Sequence, residues 1–398
     1  MLDTSTFPNF LRSLNLREPV TTRGGQMVAG PPVQIAELAL RLGLGFLFVD
    51  TPKTRAIMTN LGVDPGSTRV LAQRMRSLRM WREIWEDLAA PHLGAVEIAI
   101  AKDDRAGAIR AIQTSLAMLD LAYGGDNHYV CTPQIEQPRI LPVLQRLSAQ
   151  LRELKDEQVE RISVPHARGV TSGWLHLPKA GKPPYPVLLG IHPLSGNKDS
   201  YDVALAPFRE AGYATFCPDL PAHGENFDGP RLQPDDEQMM VAALEILAAR
   251  PDLDPNRLGV IGGSLGGFFT LRTAAASARV KAAVAYCPGF DIGSGVKLSV
   301  RGIRESFAWM IGAQTMAETV RLSRPFHLRD VLGRITCPVA LVHGTQDHIC
   351  DFAVTYRVAA RVKAPLTIIP LVGVDHEASY PSAPHIAQPG IQWLKAHL

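Results

Sequence analysis

The chain has few cysteines, no long apolar run and almost no imbalance of charge, and each shortage removes a class of protein. Its five cysteines, Cys131, Cys217, Cys287, Cys337 and Cys350, are scattered over 398 residues. An odd number without Cys-x-x-Cys pairing fits neither a disulfide framework nor a zinc site. Several lie in apolar runs that read as strands, as buried free thiols do. A net charge of +3 without a basic block argues against nucleic acid or an anionic membrane as partner. No apolar stretch reaches the roughly 18 residues that span a bilayer; Leu38 to Val49 is interrupted by Arg41 and is too short. Met1 to Arg12 lacks a basic region followed by an apolar core and a small-residue cleavage site, so the cytoplasm is the expected compartment. There is no internal repeat and no low-complexity segment.

What is present is 46% hydrophobic and 20% charged residues, in a length that suits two domains with sizeable cores. From about Pro31 to Leu154 the periodicity is helical. Val33 to Phe48 reads as a buried helix. Ser67 is a candidate cap for a second, with Leu71, Met75, Leu78, Trp81 and Trp85 at three- and four-residue intervals. Asp104 is a candidate cap for a third, with Ile109, Ile112, Leu116, Met118 and Leu119 on its apolar face and a stop near Gly124-Gly125. Leu141 to Leu154 is amphipathic and ends in a charged stretch through Asp156, which marks a domain boundary.

Past residue 156 short apolar strands begin. Val159 to Val164 and Val170 to Leu177 flank a hairpin turn. Strands then alternate with helices: Pro186 to His192, Ala214 to Pro218, Leu258 to Gly262, Val280 to Tyr286, Pro338 to His343 and Leu366 to Leu371, with helical patterns such as Asp236 to Ala249 and Leu265 to Ala275. Near-continuous apolar strands separated by helices predict a mainly parallel sheet covered on both faces, with its chemistry just beyond the strand ends. The domains expected are 1–156, helical, and 157–398, α/β, with a helical insertion around 290–330.

The strongest local signal is Gly262-x-Ser264-x-Gly266 between a strand and a helix. A nucleophile on so sharp a turn has a strained backbone, and neighbours two positions away must lack side chains. The dinucleotide spacing Gly-x-Gly-x-x-Gly fails in every register, as does the phosphate-loop spacing. A serine hydroxyl needs a base, and the base needs an acid to orient it. Strand 338–343 leads into Gly344-Thr-Gln-Asp347 and strand 366–371 into Gly373-Val-Asp-His376, which makes Asp347 the acid and His376 the base. Asp375 reads as a solvated or loop-bonding carboxylate, Asp291 as a rival acid, and His343, His348 and His385 as core or surface histidines. An oxyanion needs N–H donors. Leu265 N–H opens the helix after Ser264. In the loop His192-Pro-Leu-Ser-Gly196, Pro193 has no N–H, so Leu194 is the first donor. His192 and His223, the latter in Pro218-Asp-Leu-Pro-Ala-His-Gly224, read as loop braces. No Cys/His cluster has metal-ligand spacing, so no metal is expected.

Taken together, the turn, the acid loop, the histidine loop and the oxyanion loop, in that chain order from 157 to 398, resemble the α/β-hydrolase superfamily. A helical region ahead of the hydrolase domain and the continuation Gly196-Asn-Lys-Asp199 are similar to the group containing the fermentation–respiration switch esterase and the pseudooxynicotine-type carbon–carbon hydrolases. That resemblance implies a homodimer, a small-molecule substrate, an active site roofed by the helical domain and no cofactor. In the insertion Phe307, Trp309 and Met310 are candidate pocket residues, with core packing the competing reading. Four readings follow: hydrolysis of a small carboxylic ester through an acyl-Ser264; carbon–carbon hydrolysis of a ketone by the same triad; acyl transfer or cyclisation; and a binding protein on an inactive scaffold, which the intact motifs disfavour. The apolar helices of the first half predict that deleting residues 1–150 abolishes turnover of the native substrate. A folded truncation that keeps full kcat/KM would restrict that half to dimerisation.

Overall fold

The computed structural model describes residues 21–23, 26–28, 38–47, 49–77, 80–129, 137–296 and 301–398. Its contacts divide the chain into two units. The first takes residues up to Lys155 together with Val296–Trp309 and Ala313–Thr319; the second takes Asp156–Gly295, Met310–Gly312 and Val320–Leu398. Much of the insertion expected inside the α/β half therefore counts with the helical unit.

The helical unit contains α1 (Pro52–Asn60), α2 (Ser67–Arg74), α3 (Trp81–Ala101), α4 (Arg105–Tyr129) and α5 (Gln137–Leu154). Its core includes Leu71, Trp81, Ile84, Trp85, Ile112, Leu116, Leu119, Leu144 and Leu147. Trp81 and Trp85 pack edge to face at 5.9 Å, and Trp81 Nε1 donates to Leu121 O at 3.0 Å, tying α3 to α4. These residues serve the unit's own core. Phe46, in contrast, is exposed and Leu47 half-buried, while Phe48 lies outside the described residues.

Three local readings are corrected. The apolar series from Leu71 to Trp85 is two helices, because Met75 turns extended at ψ 117°. Ser67 is the first helical residue, and Gly66 takes the cap position without a side-chain bond. The third helix does not stop at Gly124-Gly125 but continues to Tyr129; glycine costs a helix about 1 kcal/mol without ending it. Similarly, Pro91 lies inside α3, where Ile84, Trp85 and Ala89 before it and Val96 after it are buried and offset its cost. Asp104 does cap α4, accepting from Gly107 N at 2.8 Å. Of the helix expected over 33–48, residues 38–41 are helical, Gly45–Leu47 form a 3-10 turn, and 33–37 with Phe48 lie outside the described residues.

In the second unit, eight strands form one sheet: β1 (Val159–His166), β2 (Gly169–His176), β3 (Tyr185–Ile191), β4 (Ala214–Pro218), β5 (Leu253–Gly263), β6 (Ala282–Tyr286), β7 (Val339–Gly344) and β8 (Leu366–Leu371). The order is β8-β7-β6-β5-β3-β4-β2-β1. The first two strands and the β2–β4 pair are antiparallel, and all other neighbours are parallel. Leu188, Leu189, Val260, Ile261, Val284 and Val342 in the central strands are wholly buried, as a sheet covered on both faces requires. Chain direction across the sheet reverses at β3, which lies between β4 and β5. That switch point opens a crevice beyond the ends of β3 and β5, at His192 and Ser264. Among the described residues no helix is long and apolar enough to cross a membrane.

The loops leaving β3 and β4 are joined by a buried ion cluster. Lys198, at the start of α6 (Lys198–Ala204), is fully buried, with Nζ 3.0 Å from Asp219, 2.9 Å from Glu225 and 3.3 Å from Asp199. Its backbone N–H donates to Asp219 Oδ1 at 2.7 Å. Burial alone would raise the Glu225 carboxyl, but Ser172, Lys198 and Arg161 together pull it down to about 2. Lys198→Met leaves buried carboxylates without their cation, which is expected to cost about 3–5 kcal/mol. A denaturation midpoint equal to that of the wild type would show that the cluster does not hold these loops.

Candidate active site

Strand β5 ends at Gly263, and α8 (Leu265–Ala276) begins at Leu265, so Ser264 alone makes the turn. Its φ of 56° and ψ of −115° are unfavourable for a side chain with a Cβ. Crowding holds it there. A Cβ on Gly266 would lie 1.9 Å from Ile191 O at the end of β3, and one on Gly263 would lie 1.9 Å from Ser379 O. No other residue fits, because backbone occupies both places. Ser264 N donates to Tyr286 O at 2.8 Å, anchoring the turn to β6.

The structure brings the three residues expected from the motifs into one line. His376 Nε2 is 2.9 Å from Ser264 Oγ, and His376 Nδ1 is 2.8 Å from Asp347 Oδ2. Burial would raise the Asp347 carboxyl, yet it is held far below the ordinary carboxylate range by the His376 charge, by bonds from His343 and His376, and by Cys350 N–H. An ionised Asp347 keeps the His376 proton on Nδ1, which leaves Nε2 free to accept from the serine. Burial lowers the proton affinity of His376, but the Asp347 charge and hydrogen bond, with Asp375 and Glu377, outweigh it and raise the pKa above 6.5.

Asp347 is anchored on its other oxygen too, where Oδ1 accepts from Ile349 N at 2.9 Å and Cys350 N at 2.8 Å. His343, read from the sequence as a core or surface histidine, is fully buried beside it. Its Nε2 donates to Cys350 O at 2.7 Å and is 3.3 Å from Asp347 Oδ2. The available signal was its position, four residues before the acid at the end of β7. Asp375 is loop-bonding rather than solvated: it is buried and caps the turn at His376, accepting from His376 N at 2.8 Å. The rival acid Asp291 binds Ser294 and Arg329 instead, and His385 is exposed at the start of α11 (Pro384–His397).

Helix geometry leaves the Leu265 N–H without an intrahelical acceptor. Opposite it, Pro193 O accepts from Gly196 N at 3.0 Å and from His192 Nδ1 at 2.9 Å. In a trans peptide this turns the Leu194 N–H the other way, clear of the loop. Leu220 N donates to His192 Nε2 at 3.0 Å, and burial, His223 and Lys198 keep His192 well below its ordinary pKa, as a neutral ring must be to accept there. His223 Nε2 is 3.0 Å from Leu194 O, and the two rings lie 4.8 Å apart. Both histidines brace the loop.

Phe307 and Met310, at 1% and 2% exposure, and half-buried Trp309 lie on α9 (Arg301–Met310). Phe307 and Met310 are packed interior side chains. Cys217, Cys287 and Cys337 are buried free thiols and Cys350 is half-buried; Cys131 lies outside the described residues. Among the described residues, Cys287, Asp347 and His376 place potential metal-ligand atoms within 4.8 Å of one another. Two of those groups already bond to each other within the Ser264 line.

Residues 203–389 match the model of the prolyl oligopeptidase family. The hydrolase LUC6 of a Fusarium species is 30% identical over an alignment that covers 72% of this chain and 78% of that protein. The 2,6-dihydropseudooxynicotine hydrolase of Paenarthrobacter nicotinovorans is 28% identical over 170 residues, 42% of this chain. That match spans only 46% of the pseudooxynicotine hydrolase. Among solved structures, the 2,6-dihydroxy-pseudo-oxynicotine hydrolase superposes with a TM-score of 0.72 at 21% identity, covering 86% of this chain and 95% of that one. AbyA5 superposes at 0.60 and 18% identity, covering 81% of this chain and 93% of that one. These structural likenesses show a shared fold.

The raised pKa of His376 fixes the sign of a pH test. The neutral form is the one that accepts a proton, and it is lost as pH falls through that pKa, so the acidic limb of kcat/KM is expected above 6.5. Asp347→Asn removes the largest raising influence and should move the limb to lower pH while lowering the rate. Asp291→Asn should change neither. A larger loss from the Asp291 variant than from the Asp347 variant would reassign the acid.

Proposed function

We infer the reaction from one premise: the chain belongs to the prolyl oligopeptidase family of α/β-hydrolases. The proposed reaction is serine hydrolysis of a small carboxylic ester. The observation that carries it is the unbroken line from Asp347 through His376 to a serine oxygen held on a strained turn. His376 takes the Ser264 proton as Oγ attacks the acyl carbon. Leu265 and Leu194 N–H stabilise the oxyanion. Protonated His376 then gives its proton to the leaving alkoxide, which departs as the alcohol. Water, deprotonated by the same imidazole, attacks the acyl-Ser264; the bond from the acyl carbon to Oγ breaks, Oγ takes the proton back from His376, and the carboxylic acid leaves. A small-molecule substrate and an assembly of two copies complete the proposal.

Carbon–carbon hydrolysis of a ketone is the second reading, favoured by the likeness to pseudooxynicotine hydrolase in sequence and fold. It uses the same acyl-serine, but the leaving group is a carbanion that must take a proton on carbon.

A fluorophosphonate should add to Ser264 alone, as read by intact mass and peptide mapping. Ser264→Ala should abolish the adduct and lower kcat by about four to six orders of magnitude. Near-normal turnover by that variant would remove the serine mechanism. With ester and diketone panels run in deuterium oxide, a product carrying one new carbon-bound deuterium identifies carbon–carbon cleavage, whereas ester cleavage introduces none.

A further inference from the structure

Two Asp-His dipeptides occur in the chain, Asp347-His348 and Asp375-His376. They follow neighbouring parallel strands, with His343 of β7 opposite Pro370 of β8 and Gly344 opposite Leu371, so the two loops leave the sheet side by side. Backbone bonds zip them together: Thr345 N donates to Leu371 O and Gln346 N to Val374 O, both at 3.0 Å. The dipeptides then pair crosswise. Asp347 holds His376, as described above, and Asp375 Oδ1 lies 2.6 Å from His348 Nδ1. The same Asp375 oxygen accepts from the backbone N–H of His348 at 2.9 Å and of His376 at 2.8 Å. The Asp375 side chain is 2% exposed and that of His348 is 32% exposed, so the second pair runs from behind the base out to solvent.

We propose that Asp375 and His348 form a positioning pair for His376: Asp375 fixes the base's backbone and supplies a second carboxylate charge behind it, and His348 orients and partly compensates that carboxylate. The proposal rests on the reading of His376 as the base. The groups facing His376 from the surrounding elements are Ser264 of the β5–α8 turn, Cys287 after β6, Asp347 of the acid loop with His343 behind it, and Asp375 and Glu377 of its own loop. Three of these are carboxylates, and in a site screened this little from one another each favours the imidazolium that forms when Ser264 gives up its proton. Asp375 is distinct among them in also gripping the backbone of both loops. Its loss would therefore change the proton affinity of the base as well as the alignment of the loops.

Asp375→Asn separates the two effects, because the amide oxygen still accepts from both backbone N–H groups while the charge is gone. The measurement is the pH dependence of the rate at which a fluorophosphonate labels Ser264 in the full-length protein, which requires no knowledge of the native substrate. The midpoint of the acidic limb is expected to move to lower pH in Asp375→Asn. An unmoved midpoint, even with a reduced rate, would leave Asp375 a structural cap and overturn the proposal. His348→Ala keeps the carboxylate but removes the donor that compensates it, so its midpoint should move to higher pH; this variant decides the matter if Asp375→Asn does not fold. Undiminished labelling of the Ser264→Ala protein would instead refute the reading of Ser264 as nucleophile, a failure distinct from that of the Asp375 pair.

Discussion

Everything at the candidate site depends on one backbone constraint, the left-handed φ of Ser264. A non-glycine residue in such a conformation costs on the order of 1–3 kcal/mol and persists only where its surroundings leave no alternative. Here α8 is pressed onto the end of β3 so closely that Gly266 has no room for a Cβ, and Gly263 is pressed equally hard against Ser379 in the loop that carries His376. The same contacts that force the turn thus bring three separate pieces of the site together: the Ser264 turn, the loop with the Leu194 N–H, and the loop with His376. Relaxing the turn would separate them.

The surrounding charges are arranged so that few groups are free to change state. Asp347 is kept ionised by donors on both oxygens, which makes it a fixed charge under His376 rather than a competing base. His192 is kept neutral so that it can accept from Leu220 while donating to Pro193, and the Lys198 cluster holds the following turn to the loop after β4. His376 differs in that its burial and its carboxylate neighbours act in opposite directions. In the proposed role of base, His376 would be well served by such an opposition, since neither protonation state is then strongly disfavoured.

The helical unit shows where local pattern reading fails. Glycine and proline are strong signals of interruption, yet α4 runs through Gly124-Gly125 and α3 through Pro91. The cost of each is about 1–3 kcal/mol, and burial of a few large side chains such as Trp85 and Ile84 is enough to exceed it. The apolar spacing from Leu71 to Trp85 was misleading for a related reason. Two helices packed into one core can share a periodic series without being continuous.

The fold class, the strands and the Ser264 turn were legible in the sequence because each depends on residues near one another along the chain, and the order Ser264, Asp347, His376 was legible because each residue follows its own readable strand. Strand alternation with helices and the spacing Gly262-x-Ser264-x-Gly266 are local constraints of pleat and sterics. Partner choice among carboxylates and imidazoles is not local. His376 meets Asp347 from 29 residues away and Ser264 from 112. The crosswise pairing of the two Asp-His dipeptides was decided only when β7 and β8 paired in parallel register and set their loops side by side, and Asp291 meets Arg329 in a different part of the fold. A hydrogen bond depends on distances of a few tenths of an ångström, and only the packed sheet specifies those.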